Sequence, residues 1–254
     1  MSLCVKTLTL ARGGRCLLRD LELDLQRGEV LGILGPNGSG KSTLLAAMAG
    51  QYLPEAGDIR WQGQSLTSLD AQHRPRLLGY APQAVEPAWG IPLSAMLDTA
   101  LDARGLEGQA ASAARLQALR DFDLEALADR PITELSGGEA RRLTLAVASI
   151  GEPPLLLLDE PFAALDLGHQ AALRDWLRAS GKAGRTVVTS LHDPNDALVA
   201  CDRVLVLRGD GMFTLGRPQD VLFPGLIRDV WGVSLHRLDV LGGAILVPVG
   251  MVER

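Results

Sequence analysis

Three groups of residues in this chain have the types and spacing for phosphate chemistry. The first, Gly35-Pro36-Asn37-Gly38-Ser39-Gly40-Lys41-Ser42-Thr43, fits the pattern GxxxxGK[ST]. Glycines here let successive backbone N–H groups turn inward around an anion, and a helix opening at Lys41 adds the positive end of its dipole. Lys41 would reach the terminal phosphates of a nucleotide, and the Ser42 hydroxyl would serve Mg²⁺. The second group is Leu155-Leu156-Leu157-Leu158-Asp159-Glu160, an apolar strand that delivers two carboxylates at its end, where open α/β sheets gather ligands. Asp159 is placed to hold the Mg²⁺ shell, and Glu160 to orient or deprotonate an attacking water. The third is Leu135-Ser136-Gly137-Gly138-Glu139. A serine and two glycines ahead of a helix make another anion site, although alone they could be a helix cap before the basic pair Arg141-Arg142.

These groups need a scaffold, and the surrounding pattern predicts one. Residues 3–10 and 21–25 alternate with period two around Gly13-Gly14, which predicts an antiparallel hairpin. Val30–Leu34 reads as a strand buried on both faces. The helix from Lys41 carries Leu44, Leu45, Met48 and Ala49 at helical spacing and stops at Gly50. Pro54 to Asp70 reads as further strands. Residues 86–134, rich in Ala, Leu, Arg and Asp, read as a helical lobe inserted into an α/β core. Beyond it, 140–150 and 168–180 read as helices, 155–158 and 186–190 as strands, and 204–207 as a strand entering a Gly-Asp-Gly hairpin. Strands alternating with helices imply a mostly parallel sheet. The detail of residues 219–254 stays open.

The 254 residues suffice for one large α/β domain, and the 47% apolar and 22% charged fractions are those of a globular protein. A net charge of −5 argues against nucleic acid as a partner. Cys4, Cys16 and Cys201 make neither a CxxC pair nor an even framework, which fits reduced thiols in the cytosol. No stretch approaches 18 uninterrupted apolar residues, and the N-terminus has no signal-peptide pattern.

Gly35–Ser42, Gln83, Leu135–Glu139, Leu158–Pro161, Ala164-Leu165-Asp166 and His192 stand in the order found in ABC-type ATPases. From about residue 3 to 215 the chain resembles the nucleotide-binding subunit of an ABC transporter. The resemblance implies a P-loop α/β fold with a mostly parallel core sheet (about 1–85 and 140–215) and an antiparallel N-terminal β subdomain. It also implies a helical lobe (about 86–139), followed here by an extension from 216 to 254. It implies ATP and Mg²⁺, with Gln83 touching the metal and water, His192 contacting the γ-phosphate and the catalytic carboxylate region, and Asp166 at a dimer interface. In a head-to-tail dimer, Ser136, Gly137 and Gly138 of one subunit would complete the site of the other. One departure stands out: the aromatic residue expected about 29 positions before Lys41 is replaced by Arg12, whose guanidinium can stack on a base.

A single ATPase unit without a membrane span implies separate permease subunits, as in prokaryotic importers, and a place on the cytoplasmic face of the membrane. A periplasmic or surface substrate-binding protein would act with it indirectly. Leu191–Asp196, Leu215–Pro218 and Val230–Val233 resemble the metal-chelate importers, which take up cobalamin, ferric siderophores or haem; the leaning is to cobalamin or a siderophore. Trp89, Ile91 and Leu97 are candidates for receiving a membrane subunit. The competing class is an ATP-driven switch acting on another cytosolic partner.

Overall fold

The computed structural model describes residues 3–83, 90–240 and 243–251. The chain begins with the expected hairpin, β1 (Leu3–Arg12) and β2 (Arg15–Leu25), turning through Gly13 and Gly14 at φ 59° and 78°. Then come β3 (Val30–Leu34), α1 (Lys41–Met48), β4 (Ala56–Trp61), β5 (Gln64–Ser65), α2 (Arg74–Leu77) and β6 (Leu78–Ala81). The helices α3 (Leu93–Arg104), α4 (Gly108–Asp121) and α5 (Gly137–Ser149) follow. The chain then alternates through β7 (Leu155–Leu158), α6 (Leu167–Lys182), β8 (Thr186–Ser190), α7 (Pro194–Ala200), β9 (Arg203–Leu207) and β10 (Phe213–Gly216). It closes with α8 (Pro218–Val221), α9 (Pro224–Trp231) and the antiparallel pair β11 (Val233–Val240) and β12 (Gly243–Met251).

Two sheets carry the architecture. The first, in the order β2-β1-β4-β5, is antiparallel. The second runs β10-β9-β3-β8-β7-β6, parallel throughout except for β10. Alternation along β7 explains why four consecutive leucines are needed there. Leu155 and Leu157 enter the core shared with the N-terminal sheet and α1, whereas Leu156 and Leu158 pack with α5 and α6. Each such burial contributes about 1.5–3 kcal/mol, so the strand that presents Asp159 and Glu160 is anchored on both faces.

On α3, Leu93, Leu97 and Leu101 recur every fourth residue and are all buried against α4 and α5. Leu97, 0% exposed, is therefore interior packing and is not open to a membrane subunit, contrary to expectation. Ile91 is 38% exposed, and Trp89 lies outside the described residues. No helix among the described residues is long and apolar enough to cross a membrane.

Candidate active site

The phosphate loop connects β3 to α1 and reaches its shape through glycine. Gly35, Gly38 and Gly40 have φ of 148°, 75° and 107°, and a Cβ on Gly35 would stand 2.5 Å from the Leu207 carbonyl oxygen. Lys41 opens α1 and folds back over the loop, its Nζ donating to the carbonyls of Gly35 (2.8 Å) and Pro36 (3.2 Å). Burial pushes the Lys41 pKa down from its ordinary 10.5, while the carboxylates of Glu160 and Asp159 pull it up. Arg12, Leu17, Asn37, Gly38, Gly40, Lys41, Ser42 and Thr43 line a cleft of about 470 Å³, closed on its other side by Gln83, Glu160 and His192.

The carboxylate of Glu160 is the focus of that far side. Gln83, just beyond β6, donates from Nε2 to Glu160 Oε2 at 2.8 Å. His192, on the loop after β8, meets Oε1 from Nε2 at 2.7 Å. Glu160 itself stands at φ 51°, a left-handed backbone that L-residues enter only when their surroundings enforce it. Part of that enforcement comes from Ser190, whose Oγ accepts from the Glu160 N–H at 2.7 Å and donates to Asp159 Oδ1 at 2.6 Å. Asp159 is 2% exposed, beneath the cleft. The ends of β3, β6, β7 and β8, adjacent in the parallel sheet, thus bring four chain segments to one place.

Ser136 caps α5. Its Oγ accepts from the Glu139 N–H at 3.3 Å, and Glu139 Oε2 accepts from the Ser136 N–H at 2.7 Å, which closes a capping box. Gly137 and Gly138 supply the first turn, packed against the segment after β7: a Cβ on Gly138 would stand 2.9 Å from the Ala164 carbonyl oxygen. Asp166 caps α6, accepting from the His169 N–H at 2.9 Å.

Of the residues singled out in the sequence, the fold brings Arg12, the phosphate loop, Gln83, Asp159, Glu160 and His192 to the cleft or directly beneath it. Ser136, Gly137, Gly138 and Asp166 are not among the residues lining the cleft. Two further contributors have no distinctive mark in the sequence. Ser190 has the pattern of an ordinary strand residue, and Arg141 that of a basic helix face. Arg141 is instead 6% exposed, donating to the carbonyls of Pro82 (2.7 Å) and Asp159. The Asp159-Glu160 pair at the end of a neighbouring buried strand was the available signal for Ser190. Nothing in the spacing marked Arg141.

A phosphate-cradling loop closing a parallel sheet, with a hydrogen-bonded carboxylate across the cleft, defines a P-loop nucleoside triphosphatase. Residues 18–163 match the family model described as ABC transporter, and the chain belongs to that family and is an ATPase. Among curated proteins it is 38% identical to the hemin import ATP-binding protein HmuV of Pseudomonas aeruginosa, covering 91% of this chain and 92% of that one. It is 36% identical to the HmuV of Myxococcus xanthus, covering 98% of both. Among solved structures, one described as a metal-chelate type ABC transporter in an inward-facing conformation has a TM-score of 0.83 at 24% identity, covering 99% of this chain and 98% of that one. An ATP-binding cassette solved as a dimer in a post-hydrolysis state with ADP and Pi has a TM-score of 0.74 at 25% identity, covering 85% of this chain and 98% of that one.

Proposed function

We propose that this chain is the ATP-hydrolysing subunit of a haem importer, acting as a head-to-tail dimer beneath a separate membrane permease. The observation that carries the catalytic part is the Glu160 carboxylate, held between Gln83 and His192 across the cleft from Lys41. Glu160 would accept a proton from, or orient, the water that attacks the γ-phosphorus, and the hydrogen bonds from Gln83 and His192 fix where its oxygens point. Lys41 and the phosphate-loop N–H groups would bind the β- and γ-phosphates, with Lys41 exchanging its bonds to the Gly35 and Pro36 carbonyls for phosphate oxygens.

The donors suit Mg²⁺. One hydroxyl (Ser42), one amide (Gln83) and one carboxylate (Asp159) are few for a dedicated metal cage, but they suit an ion that keeps waters and arrives with phosphates. When bound, the ion would neutralise charge on the phosphate oxygens.

The residues that line the cleft support the dimer. Ser136 and Gly138 head a helix N-terminus fit for an anion, yet neither borders the chain's own cleft. A second copy would bring them to the γ-phosphate, with Asp166 at the contact and residues 86–139 as the lobe that carries them. A related cassette has been solved as a dimer, which supports this reading. A periplasmic or surface binding protein would act through the permease.

Haem takes precedence over cobalamin and siderophores because both curated relatives bear the name hemin import ATP-binding protein. Deleting the gene should abolish growth on haemin as sole iron source and leave growth on iron salts intact. Unimpaired haemin growth with failed cobalamin or siderophore uptake would discard haem and keep the importer. If all three uptakes persist and no multi-span protein co-purifies, the importer reading is wrong and a cytosolic switch replaces it.

A further inference from the structure

We infer that Arg141 is a positioning residue for hydrolysis, setting the distance between Gln83 and Glu160 by clamping the carbonyl that precedes each of them. Arg141 lies on the second turn of α5, behind the Ser136–Gly138 turn, with its guanidinium buried beneath the catalytic cleft. One terminal nitrogen donates to the Pro82 carbonyl at 2.7 Å, and the other to the Asp159 carbonyl. Pro82 immediately precedes Gln83, and Asp159 immediately precedes Glu160. The two side chains that those residues carry are hydrogen-bonded to each other at 2.8 Å.

The arrangement closes a ring: Arg141, Pro82, Gln83, Glu160, Asp159 and back to Arg141. Backbone alone already joins the two strands, since the Asp159 N–H donates to the Ala81 carbonyl at 2.8 Å. That ladder ends where the catalytic residues begin, and the guanidinium continues it for one further position. Two donors in a rigid fork are what the task requires, because a single ammonium cannot occupy both ends of the gap. Burial pushes the guanidinium pKa down to about 10, with Asp159 and Glu160 pulling it back up, so the group keeps its charge at neutral pH.

α5 also begins at the residues proposed to cap the partner subunit's nucleotide. A displacement of α5 would therefore be felt at the Gln83–Glu160 pair of its own chain through one side chain. The inference rests on reading Gln83 and Glu160 as the hydrolytic pair, and the experiment separates the two ideas.

Steady-state ATPase activity, ATP affinity and thermal unfolding are compared for wild type, Arg141→Lys, Arg141→Gln, Gln83→Ala and the double variant Arg141→Lys/Gln83→Ala. Arg141→Lys and Arg141→Gln should lower kcat by about tenfold or more with ATP affinity held within about threefold, because misplacement of the hydrolytic groups affects turnover whereas the phosphate loop is untouched. Once Gln83 is gone, adding Arg141→Lys should cost much less than it does in wild type, since both changes act on one pair. Folded arginine variants with kcat within twofold of wild type, or fully additive effects in the double variant, overturn the inference. So does failure of the lysine variant to fold, which makes Arg141 a folding residue. A Gln83→Ala protein of normal activity removes instead the reading of Gln83 on which the inference stands.

Discussion

Ser190 reaches from the end of β8 to Asp159 at the end of β7, donating a hydrogen bond of 2.6 Å to its Oδ1. The same hydroxyl accepts from the Glu160 N–H at 2.7 Å, so one oxygen ties both acidic residues to the neighbouring strand. Both Ser190 and Asp159 are buried. Ser190→Ala should therefore cost about 1–3 kcal/mol of stability, because a buried carboxylate oxygen and an N–H lose their partner. It should also slow hydrolysis more than it weakens ATP binding, and Ser190→Thr should recover part of both. Chemical denaturation alongside ATPase kinetics tests this; an alanine variant as stable and active as wild type would show that the contact is incidental.

Glu160→Gln keeps the shape of the side chain but removes its basicity. ATP affinity should stay within a few-fold, since Lys41 and the phosphate loop are unchanged, while turnover should fall by about 10²-fold or more. ATP should then hold the variant as a dimer, visible by light scattering in the presence of Mg²⁺. Turnover retained within a few-fold would remove Glu160 from the catalytic role.

Gly137 and Gly138 are neighbours that should respond in opposite ways to the same change. Alanine favours a helix by about 1 kcal/mol over glycine. At Gly137 a new Cβ would meet Ala164 Cβ at 3.7 Å, an ordinary contact, so the helix gain should survive and the melting temperature should hold or rise. At Gly138 it would meet the Ala164 carbonyl oxygen at 2.9 Å, and backbone cannot swing aside as a side chain can. The melting temperature of Gly138→Ala should fall below that of Gly137→Ala, together with its ATPase activity. Equal melting temperatures would contradict the close approach of these two segments.

The strands were legible where both faces are buried. Leu155–Leu158 and Thr186–Ser190 match their expected limits because an uninterrupted apolar or β-branched run leaves little choice of register. β6 lacks that signal: it is four residues long and contains Gly79, where a Cβ would collide with the Ala148 carbonyl oxygen. That requirement comes from α5, far along the chain, and no local pattern carries it. Gly35–Ser42 stands out for the opposite reason, since the glycine spacing that would cradle a phosphate lies in one continuous loop. Arg141 is hidden in the sequence because an arginine beside Arg142 on a helix reads as a solvated face, while here it fills a buried gap between two strand ends. The C-terminal β11–β12 hairpin carries no such signal, as its strands mix polar and apolar residues and, among the described residues, pair only with each other.

The capping box makes the start of α5 sensitive to acid. The hydrogen bonds from Ser136, the backbone N–H first, hold the Glu139 carboxyl below its ordinary pKa of 4.5, with Arg130 and Arg142 adding to the effect. A carboxylate whose folded pKa is depressed contributes stability above its unfolded pKa and loses it as pH falls through the folded value. Glu139→Gln should therefore melt below wild type at pH 7, with a gap that stays constant down to about pH 5 and narrows as pH falls below the ordinary 4.5 through the lowered folded pKa. Thermal unfolding of both proteins across that range is the test, and a gap independent of pH would mean that the charge plays no part.

Arg12 ends β1 and lines the cleft together with Leu17, and none of the described residues that border it is aromatic. An exposed guanidinium stacked on a base contributes about 1 kcal/mol, which is roughly fivefold in affinity. Arg12→Ala should weaken ATP binding by about that factor and leave the catalytic rate at saturation nearly unchanged, because neither hydrogen bond to the Glu160 carboxylate involves Arg12. Arg12→Tyr should restore a flat platform and sharpen the preference for ATP over pyrimidine nucleotides. Nucleotide competition against a fluorescent ATP analogue reads both effects. An alanine variant with unaltered affinity would mean that Arg12 is a solvated turn residue, and that base recognition falls to Leu17 and the cleft wall.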